Sequence, residues 1–317
     1  MSGIDEKEAL ALLSCEGADA YALLERANRV RIEHKGFEVE LCGVLNAKSG
    51  MCPEDCRFCP QSVHSDSEVA CYSLVDDDTM IAAAAQAGSG RASRFGIVTA
   101  GERVEVEDEV DTIVRALKRM ARETGVSPCA SLGILAPETL RRFKEAGLKR
   151  YHCNVETAKS FFDHICTTHS WSDSAETIRT AKALGLTTCS GGIFGLGESL
   201  EQRVEMLGQI RELEVDSVPI NFLNPIKGTP LEDAAPITPM ECLKAVAVAR
   251  LMMPAKTIRI CGGREHNLRD LQSWLLISGA DGLMVGGYLT TKGRSVSDDI
   301  RMVLDAGFEL VSTRHLA

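Results

Sequence analysis

Two rhythms of hydrophobic and polar positions alternate along this chain. Short runs of apolar and β-branched residues read as buried strands: FEVELCGVLN (37–46), SRFGIVTA (93–100), SPCASLG (127–133), RYHCNV (150–155), LTTCSGGIFG (186–195), DSVPINFL (216–223), KTIRICGG (256–263) and ADGLMVGG (280–287). Between most of them, apolar residues recur three and four apart, as in PETLRRFKEAG (137–147) and SAETIRTAKALG (174–185), which predicts amphipathic helices. Eight such alternations predict a parallel sheet with helical crossovers. The expected fold is α/β, a closed (β/α)8 TIM-type barrel, with an open doubly wound sheet as the alternative. Residues 5–30 keep a helical period and predict an N-terminal helical cap. The chain is expected to be one domain: a cap over 1–35, a barrel over 36–290, and a C-terminal helix and tail over 291–317.

Composition narrows the partners. The net charge of −10, without a basic cluster, would repel a polyanion, so nucleic acid is excluded as a partner. No apolar stretch approaches the roughly 18 to 20 residues of a membrane span. The acidic start MSGIDEKEALALL lacks the features of a signal peptide, and a cytoplasmic protein is expected. In a reducing compartment, twelve cysteines point to metal or catalytic use more than to disulfides. A single cysteine is often only a small buried hydrophobe, and Cys15, Cys71, Cys166 and Cys242 are given no role.

Three cysteines, Cys52, Cys56 and Cys59, crowd into GMCPEDCRFCPQS, directly after the first strand. In a barrel, the carboxyl ends of the strands carry the chemistry. Structural zinc wants four ligands; the loop offers three, with His64 as a candidate fourth and no second knuckle following. A four-iron cubane on three thiolates explains the spacing better, because one iron stays open.

This C-x3-C-x2-C loop resembles that of the radical S-adenosylmethionine (SAM) enzymes. That resemblance implies a [4Fe–4S] cluster whose open iron chelates SAM, with Phe58 near the adenine. Further along, CSGGIFGLGES (189–199), SVPINFLNPIKGTPL (217–231), VARLMMP (248–254) and IRICGGRE (258–265) are similar to the biotin synthase family. The family inserts sulfur into dethiobiotin. Matched by position, Asn154, Glu156 and Asn221 lie near SAM or the ureido ring, and Ile193 offers backbone contact to SAM. The glycines of GGIFGLGE fit neither phosphate-loop nor dinucleotide spacing.

Two departures stand out. The family's second cluster is a [2Fe–2S] centre held by three cysteines and an arginine. Cys129, Cys189 and Arg259 match three of these ligands, but Gly96 stands where the remaining cysteine should be. Cys42, on strand one, matches a family serine beside the cluster arginine, which implies that it faces the cavity; Cys261, two residues beyond Arg259, faces the same way as that arginine by strand alternation. Four converging thiolates suit a four-iron auxiliary cluster better than [2Fe–2S]. Buried Arg94 and Arg259 would each need an anionic partner, which such a cluster could provide. The second departure is Ser174, which replaces an arginine expected to pair with the SAM carboxylate; His169 is read as a helix-start residue. Cys153 should point away from the cavity, and His34, His152 and His266 are read as ordinary polar residues.

The resemblance thus implies a radical SAM sulfurtransferase with Arg259, Cys129 and Cys189 at the reacting centre. It also implies a one-electron donor such as flavodoxin or ferredoxin, and a homodimer. The alternatives are a related radical enzyme that transfers no sulfur and a metal-binding protein without activity.

Overall fold

The computed structural model describes residues 3–311. Its strands are β1 (Glu38–Lys48), β2 (Arg94–Thr99), β3 (Ser127–Ser131), β4 (Arg150–His152), β5 (Thr187–Cys189), β6 (Gly192–Phe194), β7 (Ser217–Phe222), β8 (Thr257–Ile260), β9 (Gly282–Met284) and β10 (Glu309–Leu310). Neighbours run β1-β2-β3-β4-β5-β7-β8-β9, all parallel, and β9 returns to β1 through Glu40↔Gly282 and Cys42↔Met284. That last pairing makes a closed eight-stranded barrel, not an open sheet.

Each expected strand run forms a strand, with two differences in detail. The run 186–195 is split into β5 and β6 around Ser190 and Gly191. A Cβ on Gly191 would stand 1.8 Å from the Pro219 carbonyl oxygen, and one on Gly192 would stand 2.4 Å from that of Glu156. These glycines let three backbones approach closely, the use glycine commonly has inside a sheet. The second difference is β10, which pairs with the start of β1 outside the closed ring. Two residues carry too little pattern to be read.

Side chains alternate across the barrel wall. Leu41, Phe95, Ile97 and Ala130 face the helices and join the main core, while Cys42, Gly96 and Cys129 line the interior. Helices Pro137–Glu145 and Trp171–Ala183 cover the outside near the two expected runs. The second starts three residues early because Ser170 and Asp173 form a reciprocal capping box. The expected N-terminal helix is two, Glu6–Ser14 and Gly17–Lys35, broken around Cys15. From the longer one, fully buried Arg31 donates to the carbonyl of Glu38 at 3.0 Å and to that of Ala280 at 3.3 Å, covering the amino end of the barrel. Helix Val296–Asp305 leads into β10; residues 312–317 of the expected tail lie outside the described residues. Among the described residues, no helix is long and apolar enough to cross a membrane.

Candidate active site

The barrel encloses a cavity of about 330 Å³. Its deeper wall carries Cys42, Cys129, Cys189 and Cys261 with Arg150, His152 and Arg259; nearer the carboxyl ends stand Phe58, Asn154, Glu156, Ile193 and Asn221. Strand register explains the deep group. Cys129 lies beside Arg150 and His152 beside Cys189, so β3, β4 and β5 present them at neighbouring levels. Cys261, just past β8, is two residues from Arg259 and faces the same cavity.

All four deep thiols are buried and close enough to affect one another's ionisation. Burial raises Cys42, and burial with the nearby Cys42 pushes Cys129 up to about 12. Cys189 differs. Burial opposes its ionisation, but His152, through charge and a hydrogen bond, with Arg259 and Arg150, brings it down to about 6. Sequence reasoning passed over His152 and Arg150; their place in a strand facing inward was the available signal.

The anionic partner expected for Arg94 and Arg259 is, in the first place, Glu40 and not a cluster. It lies two residues before Cys42 on β1, accepts from Arg94 Nε at 2.5 Å, contacts Arg259, and stands 3.5 Å from Arg150 Nη1. Burial opposes the Glu40 charge, yet the three guanidiniums hold its carboxyl down at about 2. One carboxylate does not saturate three cations. Nε and Nη1 of Arg150 and Nε of Arg259 are buried without a hydrogen-bond partner. Such donors are costly unless an acceptor meets them. A cavity lined by four thiols and by unpaired cationic donors suits an anionic iron–sulfur cluster.

Gly96 faces this same space. A Cβ there would meet Val44 Cγ1 at 3.4 Å and Cys129 Cβ at 3.9 Å, ordinary contacts. The position has room for a Cβ and contributes no ligand.

The loop bearing Cys52, Cys56 and Cys59 is fastened to the end of β1. Gly50 and Met51 turn with positive φ, 74° and 55°. Gln61 Oε1 then accepts from Asn46 Nδ2 at 3.2 Å, Ser49 Oγ at 3.0 Å and the Gly50 N–H at 3.2 Å, while the Cys52 N–H donates to the Gln61 carbonyl at 3.0 Å. Burial pushes the Cys59 thiol up to about 11, assisted by Cys52 and Glu156. Three thiols on a loop beside Glu156 and Phe58 suit a cubane with one iron open to the cavity. His64 does not turn toward them: its Nε2 is 3.1 Å from the Pro53 carbonyl oxygen, in solvent.

Against the outer side of this loop lies the segment 165–169. Cys166 Sγ is 3.7 Å from Cys56 Sγ and 3.3 Å from His169 Nδ1, and His169 also contacts Glu54. Neither residue had been given a functional role from sequence. They belong to a contact made across more than 100 positions, which local spacing does not reveal.

The upper residues divide their hydrogen bonds. Asn154 Oδ1 accepts from the Gly191 N–H at 3.2 Å, and Asn221 Oδ1 from the Gly262 N–H at 2.9 Å. Asn154 Nδ2 donates to Glu156 Oε2 at 3.3 Å and Asn221 Nδ2 to the Gly192 carbonyl at 3.4 Å, so both ends of each amide are held at the cavity wall. Ile193 donates its N–H to the Glu156 carbonyl at 2.8 Å. Glu156 has φ 61°, rare for a residue with a side chain. Burial raises its carboxyl to about 7, against the pull of His152 and Asn154. Ser174 is buried beside Cys153 outside the cavity lining, and Cys153 joins the core.

Comparison with known proteins agrees with this architecture. The radical SAM superfamily model matches residues 48–210, and the Biotin and Thiamin Synthesis associated domain matches residues 219–309. The biotin synthase of Geobacter sulfurreducens is 52% identical over 306 residues, covering 96% of this chain and 93% of that protein. That of Citrifermentans bemidjiense is 50% identical, covering 98% and 95%. Among solved structures, methylornithine synthase superposes with a TM-score of 0.85 at 20% identity, covering 99% of this chain and 96% of that one. HydG, a maturase of the [FeFe]-hydrogenase, gives 0.82 at 18% identity, covering 97% and 72%.

Proposed function

This chain belongs to the biotin synthase family of the radical SAM superfamily, and from that premise we propose that it inserts sulfur into dethiobiotin to form biotin. Cys52, Cys56 and Cys59 would hold the [4Fe–4S] cluster that binds SAM. Bound there, that cluster supplies the electron by which SAM yields a radical able to take hydrogen from unactivated carbon. Cys42, Cys129 and Cys189, with Cys261 as fourth, would hold an auxiliary iron–sulfur cluster of four-iron type, the source of sulfur. A flavodoxin- or ferredoxin-type donor, a homodimer and a cytoplasmic setting complete the reading.

The observation that carries it is the convergence of four buried thiols with unpaired arginine donors beneath one cavity. Arg150 and Arg259 offset the charge gathered there, and His152 keeps the Cys189 sulfur ionised for metal. Above them, Asn154 and Asn221 present oriented amides to the cyclic urea of the substrate, a group that both donates and accepts. Glu156 and Phe58 line the same cavity, which supports giving the carboxylate to ribose hydroxyls and the ring to the adenine. The enclosed barrel excludes water from a radical reaction.

The test is an anaerobic assay of reconstituted protein with SAM, a one-electron reductant and dethiobiotin, following 5′-deoxyadenosine and biotin by mass spectrometry. The reading expects both products, with biotin lost in Cys129→Ala and Cys189→Ala. Deoxyadenosine without biotin would favour a radical enzyme that transfers no sulfur, the reading suggested by Gly96.

A further inference from the structure

Three metal-ligating side chains meet outside the barrel cavity. Cys56 Sγ, Cys166 Sγ and His169 Nδ1 all lie within 4.8 Å of one another. The separate edges are more telling. Two thiolates each about 2.3 Å from one tetrahedral zinc stand about 3.8 Å apart, and a thiolate and an imidazole nitrogen about 3.5 Å apart. Cys56 and Cys166 are 3.7 Å apart, and Cys166 and His169 3.3 Å. Two of the three edges therefore match the spacing one ion would impose, and the third, Cys56 to His169, lies within 4.8 Å.

Their positions are also fixed by the protein itself. Asp55 Oδ1 accepts from the N–H groups of Thr167 at 2.8 Å and Thr168 at 3.3 Å, and the Arg57 N–H donates to the Ile165 carbonyl at 3.0 Å. Glu54 lies against His169, held by Thr168 Oγ1 at 2.6 Å, and is the nearest carboxylate for a fourth position.

We propose that the cluster-free chain binds one soft divalent cation, of the Zn²⁺ class, on Cys56, Cys166 and His169, with Glu54 or water completing a tetrahedron. Binding forms two metal–sulfur bonds and one metal–nitrogen bond, and whatever protons Cys56, Cys166 and His169 Nδ1 carry are released to solvent; no electron moves. Thiolate and imidazole ligands select zinc-like ions over magnesium or calcium. Cys56 cannot serve this ion and the SAM cluster together, so the two occupants exclude one another. That exclusion rests on the assignment of Cys56 under the proposed function; the cation site itself does not.

The experiment titrates the full-length, cluster-free chain with Co²⁺ under anaerobic, reducing conditions. One equivalent should show thiolate-to-cobalt absorption that Zn²⁺ displaces. Cys166→Ala and His169→Ala should each lose that equivalent, while Cys59→Ala keeps it. Thiols elsewhere contribute alike to the wild type and to the Cys166 and His169 variants, so those difference spectra isolate the site. Cys166→Ser, close in size, should lose it too, and circular dichroism checks that each variant folds. Retention of the equivalent with an unchanged spectrum in both Cys166→Ala and His169→Ala overturns the site. In a second arm, one equivalent of Zn²⁺ should slow assembly of the SAM cluster in the wild type, read by its electron paramagnetic resonance signal, but not in Cys166→Ala. Zinc bound as described without slowing assembly overturns the exclusion.

Discussion

Glu156 concentrates several constraints in one residue. Its backbone holds a conformation that side chains avoid, and burial raises its carboxyl to about 7. A raised folded pKa means that the neutral form is the stabilised one. In the cluster-free chain this contribution is present below the ordinary carboxyl pKa and is lost as pH rises through about 7. Glu156→Gln should therefore flatten the fall in melting temperature between pH 5 and pH 8; an unchanged slope relative to wild type would place the titration elsewhere. At this scale the sequence was only partly legible. Cysteines announced themselves by type and spacing, and Asn154, Glu156 and Asn221 by the family motifs around them. Glu40, Arg150 and His152 did not, because charged residues in a strand look like surface until the barrel turns them inward.

The element that bears the three cysteines depends on one side chain. Gln61 Oε1 gathers donors from Asn46, Ser49 and Gly50, and so fixes where the loop leaves β1. Gln61→Ala would leave these buried donors short of an acceptor, at a cost of about 1–3 kcal/mol. We expect a lower melting temperature and less iron retained on the loop after gel filtration, with iron on the barrel cysteines unaffected. Element by element, the apolar rhythm located every barrel strand and two of the crossover helices. It did not show the break between β5 and β6, which depends on the backbones of Glu156, beyond β4, and of Pro219 in β7 pressing against Gly192 and Gly191. Nor did it show the break near Cys15, where the helical period continues through a turn.

For the whole molecule, Glu40 acts as a cross-brace, joining β1 to β2, β4 and β8 through three arginines. Removing one member of a buried ion network typically costs about 3–5 kcal/mol, because the partners remain charged. Glu40→Gln should lower the denaturant midpoint of the cluster-free chain by a corresponding amount, and Glu40→Asp should restore only part of it. The barrel is also built from distant partners, and this has a consequence in time. Thr168, which grips Glu54 and Asp55, lies 114 and 113 residues further along the chain. A ribosome adding about 5–20 residues per second takes many seconds to cover that distance. Throughout that interval the three cysteines are outside without their clamp, and iron delivered then would meet an unfinished holder. The ring itself closes only when β9, at Gly282–Met284 of 317 residues, returns to β1, so a complete holder exists only once the chain is largely synthesised.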